Sequence, residues 1–168
     1  MGGTVQVEST PGVGTTFALS VRVDPARPSH VMKPSRPPPP LTPSSGARRR
    51  ILIAEDNFFT QVILKKTIER LGHAVEIAHN GLEVIDALGV GTFDAVIMDC
   101  QMPLLDGYST TARLRELGYD RTALPVIALT ASAVPGDREK CLRSGMNDYL
   151  TKPFTLAEVG ATLERWLA

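Results

Sequence analysis

The stretch DAVIMDCQMP, residues 94–103, decides the fold because an apolar strand in it runs directly into a carboxylate. Val96, Ile97 and Met98 form the continuous apolar run that is typical of a strand buried on both faces. A carboxylate at the end of such a strand is costly to remove from water unless a partner compensates it. Asp99 is therefore either an ordinary polar strand end in contact with water or part of a functional site.

The pattern of an apolar strand followed by a helix recurs five times in residues 48–168 and predicts the fold class. The strands are predicted at RRILIAE (49–55), HAVEIA (73–78), FDAVIMD (93–99), LPVIALT (124–130) and MNDYLT (146–151). In the first helix, Ile63, Thr67, Ile68 and Leu71 have helical spacing and predict its buried face. Alternating strands and helices predict an α/β fold, with a parallel sheet covered by helices on both faces.

Polar residues lie at four of the five strand ends. Glu55 and Asp56 end the first strand, Asp99 ends the third, Thr130 ends the fourth, and Lys152 follows the fifth. Ligands of such sheets bind beyond the carboxyl ends of the strands, so these side chains are expected to converge at one edge. This convergence favours the functional interpretation of Asp99.

The converging residue types indicate phosphoryl-transfer chemistry. Three crowded carboxylates repel one another unless a cation neutralises them, and oxygen donors without His or Cys select a hard cation such as Mg²⁺. Lys152 and Thr130 offer an ammonium and a hydroxyl to phosphoryl oxygens. Since no Ser or His is placed as a nucleophile, a carboxylate would form an aspartyl-phosphate, and Asp99 on the central strand is the best-placed candidate.

Four separated motifs carry a family resemblance. LIAEDN (52–57), VIMDCQMPLLDGY (96–108), VIALTAS (126–132) and DYLTKPF (148–154) resemble, in order and spacing, the receiver domain of two-component response regulators. The resemblance implies a flavodoxin-like (βα)5 fold, a doubly wound parallel sheet with strand order 2-1-3-4-5. It also implies a domain that catalyses its own phosphorylation and dephosphorylation.

The resemblance further implies a metal site. Asp99 would be the phosphoacceptor and, together with Asp56, a direct ligand of Mg²⁺. Glu55, where many members have Asp, would bind the ion through water, and the backbone carbonyl of Gln101 would complete the protein ligands.

The remaining implied roles concern the phosphoryl group and the switch. Thr130, Ala131 and Lys152 would contact the phosphoryl group, and Tyr149 would reorient together with Thr130. Cys100 stands where an aliphatic residue is more usual, and its small thiol is expected to be part of the core.

The N-terminal residues have a different character. Residues 1–23 alternate in hydrophobicity around STPGVGTTF (9–17), which predicts two strands, and they resemble the end of the ATP-binding domain of a histidine kinase. Residues 24–47 contain eight of the 13 prolines and predict an extended linker. The chain thus resembles the C-terminal part of a hybrid sensor histidine kinase: a catalytic-domain remnant (1–23), a proline-rich linker (24–47) and a receiver domain (48–168).

Composition and resemblance together limit the partners. The net charge is zero, which gives no electrostatic argument for nucleic acid or for an anionic membrane. The resemblance implies a histidine kinase dimerisation domain or a histidine phosphotransfer domain as partner, and allows a homodimer through the face formed by the fourth helix, fifth strand and fifth helix. With two cysteines in unrelated contexts, a cytoplasmic location is expected, for a parent that can itself be membrane-anchored.

Three alternative functions are distinguished by particular residues. A binding-only pseudo-receiver would dock partners without phosphorylation, and the intact set of acids, Thr130 and Lys152 argues against it. An aspartyl-phosphate phosphatase of another family needs a second Asp two residues after the nucleophile, where this chain has Gln101. A flavin-binding protein needs a phosphate loop after the first strand, where EDNFFTQ (55–61) is acidic and bulky.

Overall fold

The computed structural model describes residues 3–10, 12, 14–21, 48–131 and 137–167. The predicted linker at 24–47 lies outside these residues. The described residues belong to two units, a β-hairpin and an α/β unit, and each is treated by itself. Within the described residues, no helix has the length and apolar character needed to cross a membrane.

The hairpin pairs strand β1 (Gly3–Thr10) with strand β2 (Gly14–Val21) in antiparallel register. Val5 lies opposite Leu19 and Val7 lies opposite Phe17, so the apolar side chains share one face of the ribbon. This face is not covered within the hairpin, since Phe17 is 71% exposed and Leu19 is 72% exposed.

The α/β unit has five strands and five helices, which alternate along the chain as the sequence predicts. The strands are β3 (Arg50–Ala54), β4 (Ala74–Ala78), β5 (Ala95–Asp99), β6 (Val126–Thr130) and β7 (Asp148–Thr151). The helices are α1 (Phe58–Arg70), α2 (Gly81–Val90), α3 (Gly107–Glu116), α4 (Asp137–Arg143) and α5 (Leu156–Leu167).

The sheet is parallel throughout, with strand order β4-β3-β5-β6-β7. This order confirms the flavodoxin-like topology, 2-1-3-4-5 when only these five strands are numbered. The chain reverses its direction of progress between β3 and β5, and the carboxyl ends of these two strands therefore border the crevice where ligands of doubly wound sheets bind.

Alternate residues of the central strands supply two separate cores. Leu52, Val96 and Met98 face helices α2, α3 and α4 on one side of the sheet. Ile53 and Ile97 face helices α1 and α5 on the other side. Because the strands are buried on both faces, they carry the continuous apolar runs seen in the sequence.

The buried face of α1 differs from the prediction. The buried residues are Gln61, Leu64 and Ile68, whereas Ile63 is 56% exposed. Gln61 is buried because its amide nitrogen donates to the backbone oxygen of Glu55 at 2.6 Å and lies 2.9 Å from Nδ1 of His79. The helix is thus rotated so that a hydrogen-bonded polar residue, and not Ile63, faces the sheet.

Candidate functional site

The predicted site residues converge at the carboxyl edge of the sheet. Asp99 is the last residue of β5 and Thr130 the last of β6, while Glu55 directly follows β3 and Lys152 directly follows β7. Because neighbouring parallel strands end at the same level, their terminal side chains share one crevice. The peptide bond between Lys152 and Pro153 is cis.

Three carboxylates form the acidic part of this edge. Ligand oxygens of Glu55, Asp56 and Asp99 all lie within 4.8 Å of one another. Glu55 is 1% exposed and Asp99 is 8% exposed, while Asp56 faces solvent. Such closely spaced charges favour a bound cation, and an all-oxygen donor set with one exposed member fits a hydrated hard ion such as Mg²⁺.

Lys152 connects two of the three carboxylates. Its Nζ lies 2.6 Å from Oε2 of Glu55 and 2.6 Å from Oδ2 of Asp99. Burial lowers the pKa of Lys152, but the hydrogen bonds and charges of Asp99 and Glu55 outweigh burial and raise it overall. The ammonium therefore stays charged, and one positive charge faces three carboxylates.

Glu55 is the most deeply buried acid of the cluster. Its burial raises its pKa above the ordinary value, and the hydrogen bond from Lys152 offsets this only in part. Its Oε1 also accepts a hydrogen bond from the backbone N–H of Asn57 at 3.2 Å. Asn57 in turn caps α1 by accepting from the backbone N–H of Phe59 and Thr60.

Asp99 is held through both of its carboxylate oxygens. Oδ1 accepts from the backbone N–H of Gln101 at 3.0 Å, and Oδ2 accepts from Lys152. Gly107 begins α3 close to this strand end, and a Cβ at Gly107 would lie 2.1 Å from the backbone oxygen of Asp99. Glycine is thus required where the loop that follows β5 returns to the site.

A cavity of about 240 Å³ opens beside Asp99. Thr130, Ala131 and Lys152 line it, as does Gln101. These residues are brought together as the motifs predict. Tyr149 is not among the lining residues: it is half-buried, lies opposite Ala128 on the neighbouring strand and packs against the core on the α2–α4 side.

Cys100 and Cys141 meet beneath the cavity. Both thiols are free and buried, and their Sγ atoms lie 3.9 Å apart, joining the end of β5 to α4. Burial raises the pKa of Cys100 to about 12, which keeps the thiol protonated at neutral pH. Cys100 is therefore a core residue, as expected, although it also borders the cavity.

Two residues with polar groups that line this cavity were not predicted from the sequence. Tyr108 and Lys140 both line it, and Nζ of Lys140 lies 4.0 Å from the centroid of the Tyr108 ring. Tyr108 directly follows Gly107 at the start of α3, so its position at this edge could have been inferred. Lys140 lies within α4 and gave no signal, because its distance from the sheet edge depends on how the helix packs.

Comparison with known proteins identifies the domain that the sequence motifs resemble. The profile of the response regulator receiver domain matches residues 51–164. Sensor protein EvgS of Escherichia coli K12 is 35% identical over 158 residues, which cover 93% of this chain. The chain spans only 12% of the length of that protein.

Two solved structures are also similar. The receiver domain of sensor histidine kinase PA1611 from Pseudomonas aeruginosa, with a magnesium ion coordinated in its active site cleft, is 43% identical. Its TM-score is 0.66, and the match covers 72% of this chain and 98% of that one. The receiver domain of Saccharomyces cerevisiae Ssk1, crystallised with the histidine phosphotransfer protein Ypd1, is 30% identical with a TM-score of 0.66. That match covers 71% of this chain and 88% of the other.

Proposed function

The chain belongs to the response regulator receiver domain family of two-component phosphorelays, and from this premise we propose that it accepts a phosphoryl group from a phosphohistidine onto Asp99 in a Mg²⁺-dependent reaction. One observation carries the proposal: Asp99 borders a cavity that is also lined by Thr130 and Lys152 and lies within the acidic cluster. That combination neutralises and positions a phosphoryl group beside a carboxylate.

The metal would be held by the acidic cluster. Asp56 and Asp99 are the proposed direct ligands, with the backbone carbonyl of Gln101, and Glu55 would act through water. When bound, Mg²⁺ supplies positive charge to the phosphoryl oxygens and to the carboxylates. The excess of carboxylates over Lys152 at this edge supports the assignment.

In the proposed transfer, an oxygen of Asp99 forms the new bond to phosphorus, and the phosphorus–nitrogen bond of the donor breaks. The imidazole leaves with the electron pair and takes a proton from solvent. Lys152, which now contacts Asp99, and the hydroxyl of Thr130 would donate hydrogen bonds to the phosphoryl oxygens. Ala131 leaves space at the cavity wall for the incoming group.

The donor is proposed to be a histidine phosphotransfer domain or a kinase dimerisation domain. A phosphohistidine on a protein reaches Asp99 only if its domain rests on the rim of the cavity. Exposed apolar side chains lie on segments that follow the acidic residues in the chain: Phe58 (67% exposed), Phe59 (75%) and Ile63 (56%) on α1, and Leu104 (80%) in the loop after β5. Exposed apolar side chains on the segments next to a reactive carboxylate suit a protein partner. The Ypd1–Ssk1 complex supports such a pairing for a similar receiver domain.

The output is proposed to be a change of the face formed by α4, β7 and α5. Thr130 and Tyr149 lie on adjacent strands, so a phosphoryl group that draws the Thr130 hydroxyl inward would leave space for the Tyr149 ring. This face would then bind a protein partner or a second copy of the chain. Thr130→Ala should permit phosphorylation but weaken the amide shifts that beryllofluoride, a phosphoryl mimic, produces at residues 138–160. Shifts of equal size in the variant and the wild type would contradict this role.

The whole protein is proposed to be a hybrid sensor histidine kinase, with residues 1–23 as the end of its ATP-binding domain and 24–47 as the linker. The EvgS match supports this, since it extends over 93% of the chain, well beyond the receiver domain. The exposed apolar face of the hairpin fits an element that is covered in a larger domain. We propose a cytoplasmic location, a compartment that keeps thiols such as Cys100 and Cys141 reduced.

The test is phosphorylation of the wild type and of Asp99→Asn by acetyl phosphate, with Mg²⁺ and with a chelator. The wild type should gain an acid- and base-labile phosphoryl group only with Mg²⁺, and the variant should gain none. An equal adduct on the variant would contradict Asp99 as the acceptor. A wild type that binds a phosphotransfer domain without any phosphorylation would instead be a binding-only pseudo-receiver.

A further inference from the structure

We propose that Lys140 is a second cation of the phosphoryl site, and that it connects the phosphoryl group on Asp99 directly to helix α4. This inference rests on the proposed function, because it assigns a partner to the phosphoryl group that Asp99 would carry. It adds a route to α4 that does not pass through Thr130 and Tyr149.

The position of Lys140 is the first observation. Lys140 lines the 240 Å³ cavity together with Asp99, Thr130 and Lys152. It also lines a second cavity of about 520 Å³, which shares Gln101 and Tyr108 with the first and is lined by Asp106 as well. Lys140 is thus shared by the cavity beside Asp99 and the one next to it.

The second observation is the difference between the two lysines of the cavity. Lys152 already contacts the carboxylates of Glu55 and Asp99. Lys140 rests on the ring of Tyr108, at 4.0 Å from its centroid, and makes no ion pair with any other described residue. A cation–π contact at an exposed position is a weak restraint, so the Lys140 ammonium can leave the ring for a stronger partner.

Phosphorylation supplies such a partner. A phosphoryl group carries between one and two negative charges near neutral pH and three strong acceptor oxygens. Even with the proposed Mg²⁺ bound, the ion and Lys152 do not fully balance Glu55, Asp56 and a doubly ionised phosphoryl group, which together carry one more charge. The long, flexible side chain of Lys140 carries a point charge, lines the same cavity and can reach for a phosphoryl oxygen. The contact would form only when the phosphoryl group is present, so it stabilises the phosphorylated state selectively.

The location of Lys140 on α4 gives the contact its consequence. Cys141, the next residue, is buried against the core and anchors this part of the helix, whereas Lys140 itself is exposed. A bond from Lys140 to the phosphoryl group would pull α4 towards the end of β5. The helix belongs to the proposed output face, which would therefore respond to phosphorylation through a charge as well as through the Thr130 hydroxyl.

The test compares Lys140→Gln with Arg143→Gln, which removes the same charge from an exposed position of the same helix that does not line either cavity. The measurements are the second-order rate constant of phosphorylation by acetyl phosphate at low and high salt, and the apparent dissociation constant of beryllofluoride. At low salt, Lys140→Gln should lower the rate constant and raise the dissociation constant, each by about five- to tenfold. Both constants should depend less on salt in this variant than in the wild type. Arg143→Gln should resemble the wild type, and Lys140→Arg should retain most of the activity.

Equal constants for Lys140→Gln and Arg143→Gln would overturn the inference. If the wild type is phosphorylated in that experiment, the proposed function still stands. A wild type without phosphorylation would overturn both. Amide shifts distinguish a contact with the phosphoryl group from a purely structural role of Lys140. The shifts of residues 138–143 on beryllofluoride addition should be smaller in Lys140→Gln than in the wild type, while thermal stability is unchanged. Full-sized shifts in that variant would also contradict the inference.

Discussion

The two ends of the parallel sheet differ in how they balance charge. At the amino end, carboxylates meet guanidinium groups in pairs: Arg49 lies 3.1 Å from Asp94, and Arg165 pairs with Asp148. Asp148 also accepts a hydrogen bond from Nε1 of Trp166. Two neighbouring side chains of α5 therefore hold the helix to the start of β7. At the carboxyl end, three carboxylates are crowded together, and Lys152 pairs with two of them, Glu55 and Asp99.

The difference separates stabilisation from function. Paired charges at the amino end hold strand starts and helix ends together, and each pair satisfies its own members. Crowded carboxylates at the carboxyl end oppose folding unless a cation is added. The repulsion lowers stability at this edge, whereas the charges at the other end of the sheet are paired. Local destabilisation of this kind is typical of a binding site.

The largest effect is expected when the ammonium is removed from the carboxyl end. Lys152→Ala leaves Glu55 and Asp99 facing each other without a cation, so the free energy of unfolding should fall by about 1–3 kcal/mol. Phosphoryl uptake should fall at least roughly tenfold, because a charge-assisted contact to the phosphoryl group is lost. Urea unfolding and acetyl phosphate kinetics measure the two effects. Lys65→Ala, at an exposed position of α1, is the control, and comparable losses there would remove the special role of Lys152.

Addition of Mg²⁺ should reduce the imbalance at the carboxyl end. At a concentration of about 100 times its dissociation constant, the ion should stabilise the wild type by about 2.7 kcal/mol. Asp56→Asn should lose most of this gain, since Asp56 is the exposed member of the cluster and its replacement disturbs no core packing. Thermal unfolding with and without Mg²⁺ tests this, with Asp86→Asn on α2 as an exposed control. Equal stabilisation of both variants would contradict the proposed metal site.

Substitution at the amino end should affect stability alone. Asp94→Asn weakens the ion pair with Arg49 and the hydrogen bond from the Arg50 backbone N–H at 2.7 Å. The free energy of unfolding should fall by about 1 kcal/mol, with an unchanged rate of phosphorylation. A clear loss of phosphorylation in a folded Asp94→Asn protein would show that the two ends are not functionally separate.

The smallest expected effect is a pH dependence at the amino end. Burial lowers the pKa of His73, the positive charge of Arg49 lowers it further, and Asp94 opposes both. Because the folded state then binds the proton less well than the unfolded state, stability should fall as the pH drops below about 6.5 and through the folded pKa. His73→Asn should make the stability less dependent on pH between 7.5 and 5.5 in urea unfolding. An unchanged pH dependence would assign it to other groups.

Sequence was sufficient for the elements and for most of the convergence of the site, because β3, β5 and β6 end at the stop of an apolar run or one residue beyond it. Asp99 and Thr130 follow directly from that rule, whereas the order of the strands came from the family resemblance and was confirmed by the structure. The rotation of α1 could not be predicted, because Gln61 is buried through hydrogen bonds to Glu55 and His79 that depend on the fold. The position of Lys140 could not be predicted either, because it depends on how α4 packs against the sheet.

The most direct measurement of the central claim is to locate the phosphoryl group on the chain. The wild type is treated with acetyl phosphate and Mg²⁺, and borohydride then reduces any aspartyl-phosphate to homoserine, which fragment mass spectrometry can place in the sequence. The predicted result is homoserine at position 99, with the side chains of Glu55, Asp56 and Asp106 unmodified. Homoserine at position 56 or 106, or a phosphorylated protein with an intact Asp99, would contradict the account.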